Sequence, residues 1–172
     1  MGQTKLKVYH GTDRSVVDDI MRSGFRCKPN KEHWLGEGIY FYIDKSLAEW
    51  WTTNPTKKHG VAITDPAIIE CTIEVDEEYV DIYNTFFRKW THQSKAKETV
   101  NFKQLRCAFF DYLIMLFDVD VIIAPFILPD QPYIPPCYNE QYANNMHIMY
   151  AEIQVCVRET AQNLIKDKVV HI

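Results

Sequence analysis

The chain has 172 residues, a formal net charge of -4 and 13% aromatic residues. This length predicts one domain spanning residues 1–172, which can bury a core without disulfides or metals. The aromatic content argues against a disordered chain, and the acidic balance argues against a general nucleic-acid-binding surface. Five scattered cysteines without a Cys-x-x-Cys pair predict neither a zinc site nor a disulfide framework. With no apolar secretory segment at the start, these features predict a cytoplasmic protein.

The first third of the chain predicts two strands, each followed by a helix. The first helix carries its apolar side chains on one stripe and ends at Gly24, a residue suited to a C-terminal cap. Asp44 is an N-terminal cap for the second helix, which continues through Trp51. The predicted elements are a strand at Leu6–Tyr9, a helix at Asp13–Ser23 and a strand at Gly38–Tyr42.

The remainder mixes strands and helices without a strict βαβ rhythm, which favours an α+β fold over a parallel α/β fold. The helix at Phe102–Phe117 is apolar nearly all round, so we expect it to be deeply buried. None of the apolar stretches is long enough to cross a bilayer, so we expect no membrane association. The other predicted elements are a strand at Ala67–Val75, a helix from Glu77 to about Trp90, a strand at Val119–Ala124, a loop at Leu128–Asn145, a strand at His147–Arg158 and a short strand within Asn163–Ile172.

A histidine and a glycine follow the first predicted strand. His10 can offer a ring nitrogen to a ribose hydroxyl. Gly11 has no side chain, so a ligand can approach its backbone N–H and C=O, the donor and acceptor pair that a planar carboxamide requires. The alternative interpretation is a surface histidine beside a turn glycine.

Gly36 and Gly38 flank Glu37 and permit a sharp entry into the second predicted strand, which contains two tyrosines. Strand alternation puts Tyr40 and Tyr42 on one face, where an aromatic ring can stack on a flat ligand. On the following helix, Ser46 and Trp50 are four residues apart and share a face. Ser46 can hydrogen-bond a carboxamide, and Trp50 can cover the second face of its ring. The alternative is that these aromatic side chains only stabilise the core.

Two polar residues share a face of the late strand. Glu152 and Gln154 are separated by one residue, whereas Ile153, Val155 and Val157 point the other way, into a core. Either polar side chain could hold a ribose hydroxyl and stabilise positive charge developing at the anomeric carbon. The alternation favours Gln154 in the cleft and Glu152 at its rim, and a glutamine could not act as a general base. The alternative is a solvated face of the sheet.

The order of these segments resembles the ADP-ribosyltransferase superfamily, in particular its His-Tyr-Glu branch, which includes diphtheria toxin and the poly(ADP-ribose) polymerases. The chain also looks similar to small bacterial or phage proteins with a His-Trp-Leu-Gly-x-Gly-Ile-Tyr-Phe segment. The resemblance is strong over residues 8–51 and loose over residues 151–158. It implies a split antiparallel sheet with flanking helices. The features that match are His10-Gly11, Gly36-Glu37-Gly38-Ile39-Tyr40-Phe41, Ser46 with Trp50, and Glu152 or Gln154.

This resemblance implies NAD as co-substrate and a catalytic set of His10, Tyr40 and either Gln154 or Glu152. The residues implied for NAD binding are His10, Gly11, Thr12, Tyr40, Ser46 and Trp50. We expect no metal, since the histidines form no ligand cluster with acidic residues. The implied acceptor of ADP-ribose is a protein or a nucleic acid. The implied role is that of a toxin, phage effector or defence component, with an antitoxin or inhibitor as a further partner.

Three alternatives stay open. The first is a non-catalytic module of the same fold that binds NAD or ADP-ribose, which a glutamine at the third position would favour. The second is an RNA 2′-phosphotransferase, which would need a convergent arginine cluster. The third is a globular α+β protein without a site. The arginines that bear on the second alternative are Arg14, Arg22, Arg26 and Arg106.

Overall fold

The protein has a mixed α+β fold built on a six-stranded antiparallel sheet in the order β4-β5-β2-β1-β3-β6. The computed structural model describes residues 3–28, 31–53, 63–76, 102–127 and 151–171. The strands are β1 (Gln3–Asp13), β2 (Ile39–Tyr42), β3 (Pro66–Asp76), β4 (Val121–Ile127), β5 (Ala151–Val157) and β6 (Ile165–His171).

Three α-helices flank the sheet: α1 (Val17–Ser23), α2 (Lys45–Thr53) and α3 (Phe102–Phe117). A 3₁₀ turn at Arg14–Val16 precedes α1, and a 3₁₀ segment at Glu159–Leu164 joins β5 to β6. Gly24 caps α1 by donating its N–H to the Ile20 carbonyl, which confirms the predicted cap. In the ranges described, no helix combines the length and apolar character needed to span a bilayer.

The sheet has two differently covered faces. The α1 face carries the larger core, in which Val8, Phe41 and Val155 pack with side chains from α1. The opposite face carries α2 over β1 and β3, and α3 over β4 and β5. Strand β2 lies between the two covered regions, so the predicted site residues on it stand between α2 and α3.

Two sequence predictions about this framework were wrong. The first strand continues to Asp13 because β3 pairs with it along its whole length, so His10 lies within a strand and not at its end. Helix α3 has the predicted bounds but is not deeply buried, because only one side packs on the sheet. On its other side Met115 is 73% exposed, and Tyr112, Leu116 and Phe117 are each more than half exposed.

The strand predictions at Ala67–Val75 and within Asn163–Ile172 are confirmed with small shifts of bounds. The strand predicted at Val119–Ala124 begins later and extends to Ile127, because its partner β5 continues that far. The part of the predicted late strand that is described forms β5. The helix predicted from Glu77 and the loop at Leu128–Asn145 lie outside the described residues.

The Asp13 carboxylate ties the end of β1 to the start of β3. One oxygen accepts hydrogen bonds from the Ser15 amide and hydroxyl, at 3.0 and 2.6 Å. The other accepts from the Thr64 amide at 2.7 Å and the Asp65 amide at 3.1 Å. These bonds, with the Ser15 hydroxyl contributing most, hold the pKa of the Asp13 carboxyl well below its usual range. The ionised carboxylate therefore stabilises the connection ahead of α1.

Replacing Asp13 with asparagine is expected to lower the melting temperature at neutral pH by a few degrees. Because the folded pKa of Asp13 is depressed, its stabilising effect is present above the ordinary aspartate pKa of about 3.9 and is lost as the pH falls below it. The difference in melting temperature between wild type and Asp13→Asn should therefore shrink with acidification. Asp18→Asn, on the exposed side of α1, is the matched control. A constant difference across the acid range would contradict this account.

Candidate functional site

Strands β1 and β2 separate next to the predicted site. Ile43 donates its N–H to the Ile153 carbonyl of β5, so by alternation Tyr40 and Tyr42 direct their backbone groups towards β1. Tyr42 pairs with Tyr9, but the next pair in this register, Gly11 with Tyr40, is not formed. The backbone N–H and C=O of Gly11 thus face a gap in the sheet.

The His10 side chain spans this gap. Its Nδ1 donates a hydrogen bond of 2.7 Å to the Tyr40 carbonyl. In a continuous ladder this carbonyl would accept from the Gly11 N–H instead. A carbonyl can only accept, so Nδ1 carries the proton. Burial lowers the pKa of the His10 imidazole, against the opposing effect of the Tyr40 carbonyl. The ring is therefore neutral near pH 7 and Nε2 carries a lone pair.

Gly11 is required by the packing of α2. A Cβ at Gly11 would stand 2.6 Å from Thr52 Cγ2 and 2.8 Å from the Ala48 carbonyl oxygen. The Trp51 ring lies on the same side, 3.4 Å from that position. The glycine thus admits a helix on one face of the strand while its backbone groups face the gap. Thr12, the next predicted contact, is buried on the opposite face of β1.

The Tyr40 hydroxyl organises the segment before β2. It donates to the Gly36 carbonyl and accepts from the Leu35 amide, both at 2.7 Å. Burial raises the pKa of Tyr40, so the hydroxyl stays protonated. Its ring packs against the smaller core under α3, with the His33 ring centroid 5.3 Å away. The residue thus has a structural role in addition to any contact with a ligand.

Helix α3 holds the same segment from the other side. Asp111 Oδ1 accepts a hydrogen bond of 2.7 Å from the Glu37 amide. Gly36 has φ +83°, and a Cβ there would stand 2.6 Å from the Asp111 carboxylate, so this position requires glycine. At Gly38 a Cβ would stand 2.5 Å from Cys156 Sγ and 2.8 Å from the Val157 carbonyl oxygen, so the close approach of β5 requires glycine there as well.

Ser46 and Trp50 are partly buried residues of α2, whereas Leu47, Ala48 and Thr52 are its buried ones. The Ser46 hydroxyl donates to Asp44 Oδ1 at 2.7 Å, and the same oxygen caps the helix by accepting from the Ser46 amide at 2.9 Å. The Ser46 oxygen keeps lone pairs that can accept from a ligand. Trp50 and Trp51 are both half-buried, and the Trp51 ring packs beside Gly11.

Gln154 is one of few buried polar side chains in the described chain, at 8% exposed. In the sheet it stands directly opposite Tyr42 on β2. Val155 and Val157 point into the larger core, so the predicted alternation of β5 is confirmed. The backbone of Glu152 pairs with Phe126 at the far end of β5, and its side chain lies outside the described part of the structure. Gln154 therefore lies nearer to Tyr40 along the sheet than Glu152 does.

The described residues hold no metal-binding group of three or more His, Cys, Asp or Glu.

Two of the four arginines considered above are engaged in ion pairs, Arg14 with Asp65 and Arg22 with Asp19. Arg106 lies outside the part of the chain whose side chains are described. Burial raises the pKa of Cys27 to about 11 and that of Cys71 to about 12, so these thiols are not nucleophiles near pH 7.

The chain is similar to an archaeal protein over part of its length. No family model matches the chain. A protein of Methanocaldococcus jannaschii described as uncharacterized is 33% identical over 82 residues, which are 46% of this chain and 38% of that protein. The chain thus covers well under two thirds of this relative's length, and the relative's description names no activity.

Sequence reasoning missed residues that hold the site from a distance. Phe25 packs edge-on against His10 with ring centroids 5.0 Å apart, and Gln162 holds the Phe25 backbone. Asp111 is the third such residue. Each contacts a segment far away in sequence, so no local pattern could have indicated it.

Tyr40→Phe is expected to lower the free energy of unfolding by about 1–3 kcal/mol, because it leaves the buried Leu35 amide without its acceptor. Urea denaturation measures the difference. Tyr112→Phe removes a hydroxyl from a tyrosine that is 53% exposed on α3 and should change stability little. Equal stability of Tyr40→Phe and wild type would show that this hydroxyl does not hold the segment.

Proposed function

We propose that the protein is an NAD-dependent mono-ADP-ribosyltransferase that moves ADP-ribose from NAD to a protein or nucleic-acid acceptor. The observation that carries this proposal is the gap between β1 and β2. There the backbone of Gly11 lacks its ladder partner, and His10 spans the opening. On this proposal the sheet is the split antiparallel sheet of the ADP-ribosyltransferase superfamily.

The gap suits the nicotinamide half of NAD. The N–H and C=O of Gly11 lie on one edge of the strand and can bind both groups of a carboxamide. Ser46 stands at the start of α2, whose residues Ala48 and Thr52 pack on Gly11, and its oxygen can accept a further bond from the carboxamide. This recognition uses fixed backbone groups, so it costs little reorganisation on binding.

His10 suits the recognition of a ribose. With Nδ1–H committed to Tyr40, the neutral ring offers the lone pair of Nε2 to a ribose hydroxyl, which donates to it. Tyr40 and Trp50, or Tyr42 in place of Trp50, would stack on the two faces of nicotinamide. The Tyr40 ring suits a stacking platform because its hydroxyl is already fixed by two hydrogen bonds.

Gln154 is the better candidate for the third role, because it lies on the strand beside Tyr42. Its amide can hold a ribose hydroxyl near the glycosidic bond. In the reaction the bond from C1′ to the nicotinamide nitrogen breaks, and nicotinamide leaves with the electron pair, which neutralises its positive charge. The acceptor then forms a bond to C1′ and releases a proton to solvent. A glutamine cannot take that proton, so Gln154 requires an acceptor that is already nucleophilic, whereas Glu152 could act as a base.

The non-catalytic alternative is specifically favoured by the same glutamine. A buried neutral amide at this position can bind a ribose without promoting cleavage. Binding of NAD or ADP-ribose without release of nicotinamide would support such a module. The engaged Arg14 and Arg22 weigh against an RNA 2′-phosphotransferase, since neither is free to bind a phosphate without breaking an ion pair. A toxin, phage effector or defence component in the cytoplasm remains the proposed setting, with an antitoxin or inhibitor as a partner.

The decisive test measures NAD binding by calorimetry and nicotinamide release from labelled NAD in the presence of cell lysate. His10→Ala and Tyr40→Ala should each weaken binding by about tenfold or more, because each removes a direct ligand contact. Gln154→Ala should abolish release while leaving part of the binding. Tyr112→Phe, which changes an exposed position on α3, is the control. A folded wild-type protein that neither binds NAD nor releases nicotinamide would refute the proposal.

A further inference from the structure

The segment after α1 carries a buried phenylalanine but belongs to no strand. Phe25 is only 2% exposed, so its backbone N–H and C=O need partners. Gln162 supplies both: its Oε1 accepts from the Phe25 N–H at 2.6 Å, and its Nε2 donates to the Phe25 carbonyl at 2.7 Å. A side-chain amide carries a donor and an acceptor side by side, so it can pair with both backbone groups of Phe25 as a neighbouring strand would.

Two further features fix the position of Gln162 against Phe25. Glu159, in the same 3₁₀ segment as Gln162, accepts from the Cys27 amide at 3.0 Å, so the segment is held at two points. Gly24 has φ +87°, and a Cβ there would collide with the Gln162 amide. The close approach of Gln162 therefore depends on the glycine that caps α1.

The Phe25 ring, held in place by Gln162, packs directly against the His10 ring. The two ring centroids are 5.0 Å apart with planes at 71°, an edge-to-face contact. Phe41 closes the other side at 5.6 Å from His10 and 5.3 Å from Phe25. The charged Lys168 Nζ lies 5.5 Å from the Phe25 ring centroid, so a cation also contacts this cluster. Held between two rings, the His10 imidazole cannot turn over without displacing Phe25.

We propose that Gln162 is a positioning residue for His10, which fixes the orientation of the imidazole across the gap between β1 and β2 by holding Phe25 in place. The role of that orientation towards NAD rests on the proposed function. The orientation itself does not, because the chain of contacts from Gln162 to Phe25, His10 and the Tyr40 carbonyl exists without a ligand.

The orientation decides which nitrogen meets a ligand. With Nδ1 on the Tyr40 carbonyl, Nε2 points away as a hydrogen-bond acceptor. If Phe25 moves, the ring can rotate and the hydrogen bond to Tyr40 is broken. The Tyr40 carbonyl then no longer holds the proton on Nδ1, so both tautomers are populated, and the imidazole becomes better solvated. Its pKa should then rise towards the ordinary histidine value of about 6.5.

The experiment uses the intact chain and two near-isosteric substitutions. Gln162→Met removes both hydrogen bonds to Phe25 and keeps the side-chain length. Asn163→Leu removes an amide from the adjacent exposed position and is the matched control. Nitrogen-15 NMR of the imidazole in the ligand-free protein reports the tautomer and the pKa of His10. Wild type and Asn163→Leu should show one tautomer with the proton on Nδ1, and Gln162→Met a mixture with a raised pKa.

A second variant covers the case in which Gln162→Met does not fold. Gln162→Glu keeps the acceptor for the Phe25 amide but loses the donor to its carbonyl, so the tautomer ratio should lie between those of wild type and a free imidazole. Calorimetry with NAD should show binding weakened by about fivefold to tenfold for a folded variant in which the ring is released.

The outcomes separate the two proposals. An unchanged tautomer and pKa of His10 in a folded Gln162 variant would overturn the positioning role, even if melting temperature falls. A shifted tautomer in a folded Gln162 variant, together with a folded wild type that neither binds NAD nor releases nicotinamide, would support the positioning role and refute the proposed function. A shifted tautomer with weakened NAD binding supports both.

Discussion

The hydrogen bond from His10 Nδ1 to the Tyr40 carbonyl connects the two halves of the sheet where backbone pairing stops. On one side, β1 and β3 pair over eleven positions, and on the other, β2 and β5 pair over four. A side chain in place of a ladder hydrogen bond keeps the strands close but leaves the backbone edge of Gly11 open. Burial disfavours the charged form of the imidazole despite the opposing effect of the carbonyl, and the carbonyl, which can only accept, requires the proton of the neutral ring on Nδ1.

Segments without regular structure are held around this opening by polar side chains from distant parts of the chain. The Asp13 carboxylate fixes residues 64 and 65, Asp111 fixes the entry into β2, and Gln162 fixes Phe25. In each case the side chain binds a backbone amide that has no partner in the sheet. Buried or partly buried backbone groups must be paired, so these residues let irregular segments pack closely on a regular framework.

The chemistry proposed for this site depends on a neutral residue. Gln154 is buried between β2 and β4 and stands opposite Tyr42, whereas Glu152 lies two residues further from the gap. An amide can stabilise and orient a ribose, but it supplies neither a negative charge to an oxocarbenium-like transition state nor a base for the acceptor. On the proposed function, a glutamine at this position restricts transfer to an acceptor that is already nucleophilic, and the sheet register favours Gln154 over Glu152.

The sequence by itself determined the mixed fold, the caps at Gly24 and Asp44, the bounds of α3 and the two faces of β5. These features follow from local rules: helical periodicity, strand alternation and the preferences of capping residues. Only the tertiary structure decided the length of β1, which is set by pairing with β3, and the exposure of one side of α3, which depends on what packs there. It also decided that Gly11 serves α2 as well as the gap, and that Phe25 and Gln162 hold His10. Those contacts join residues up to 137 positions apart, and no local pattern records such a distance.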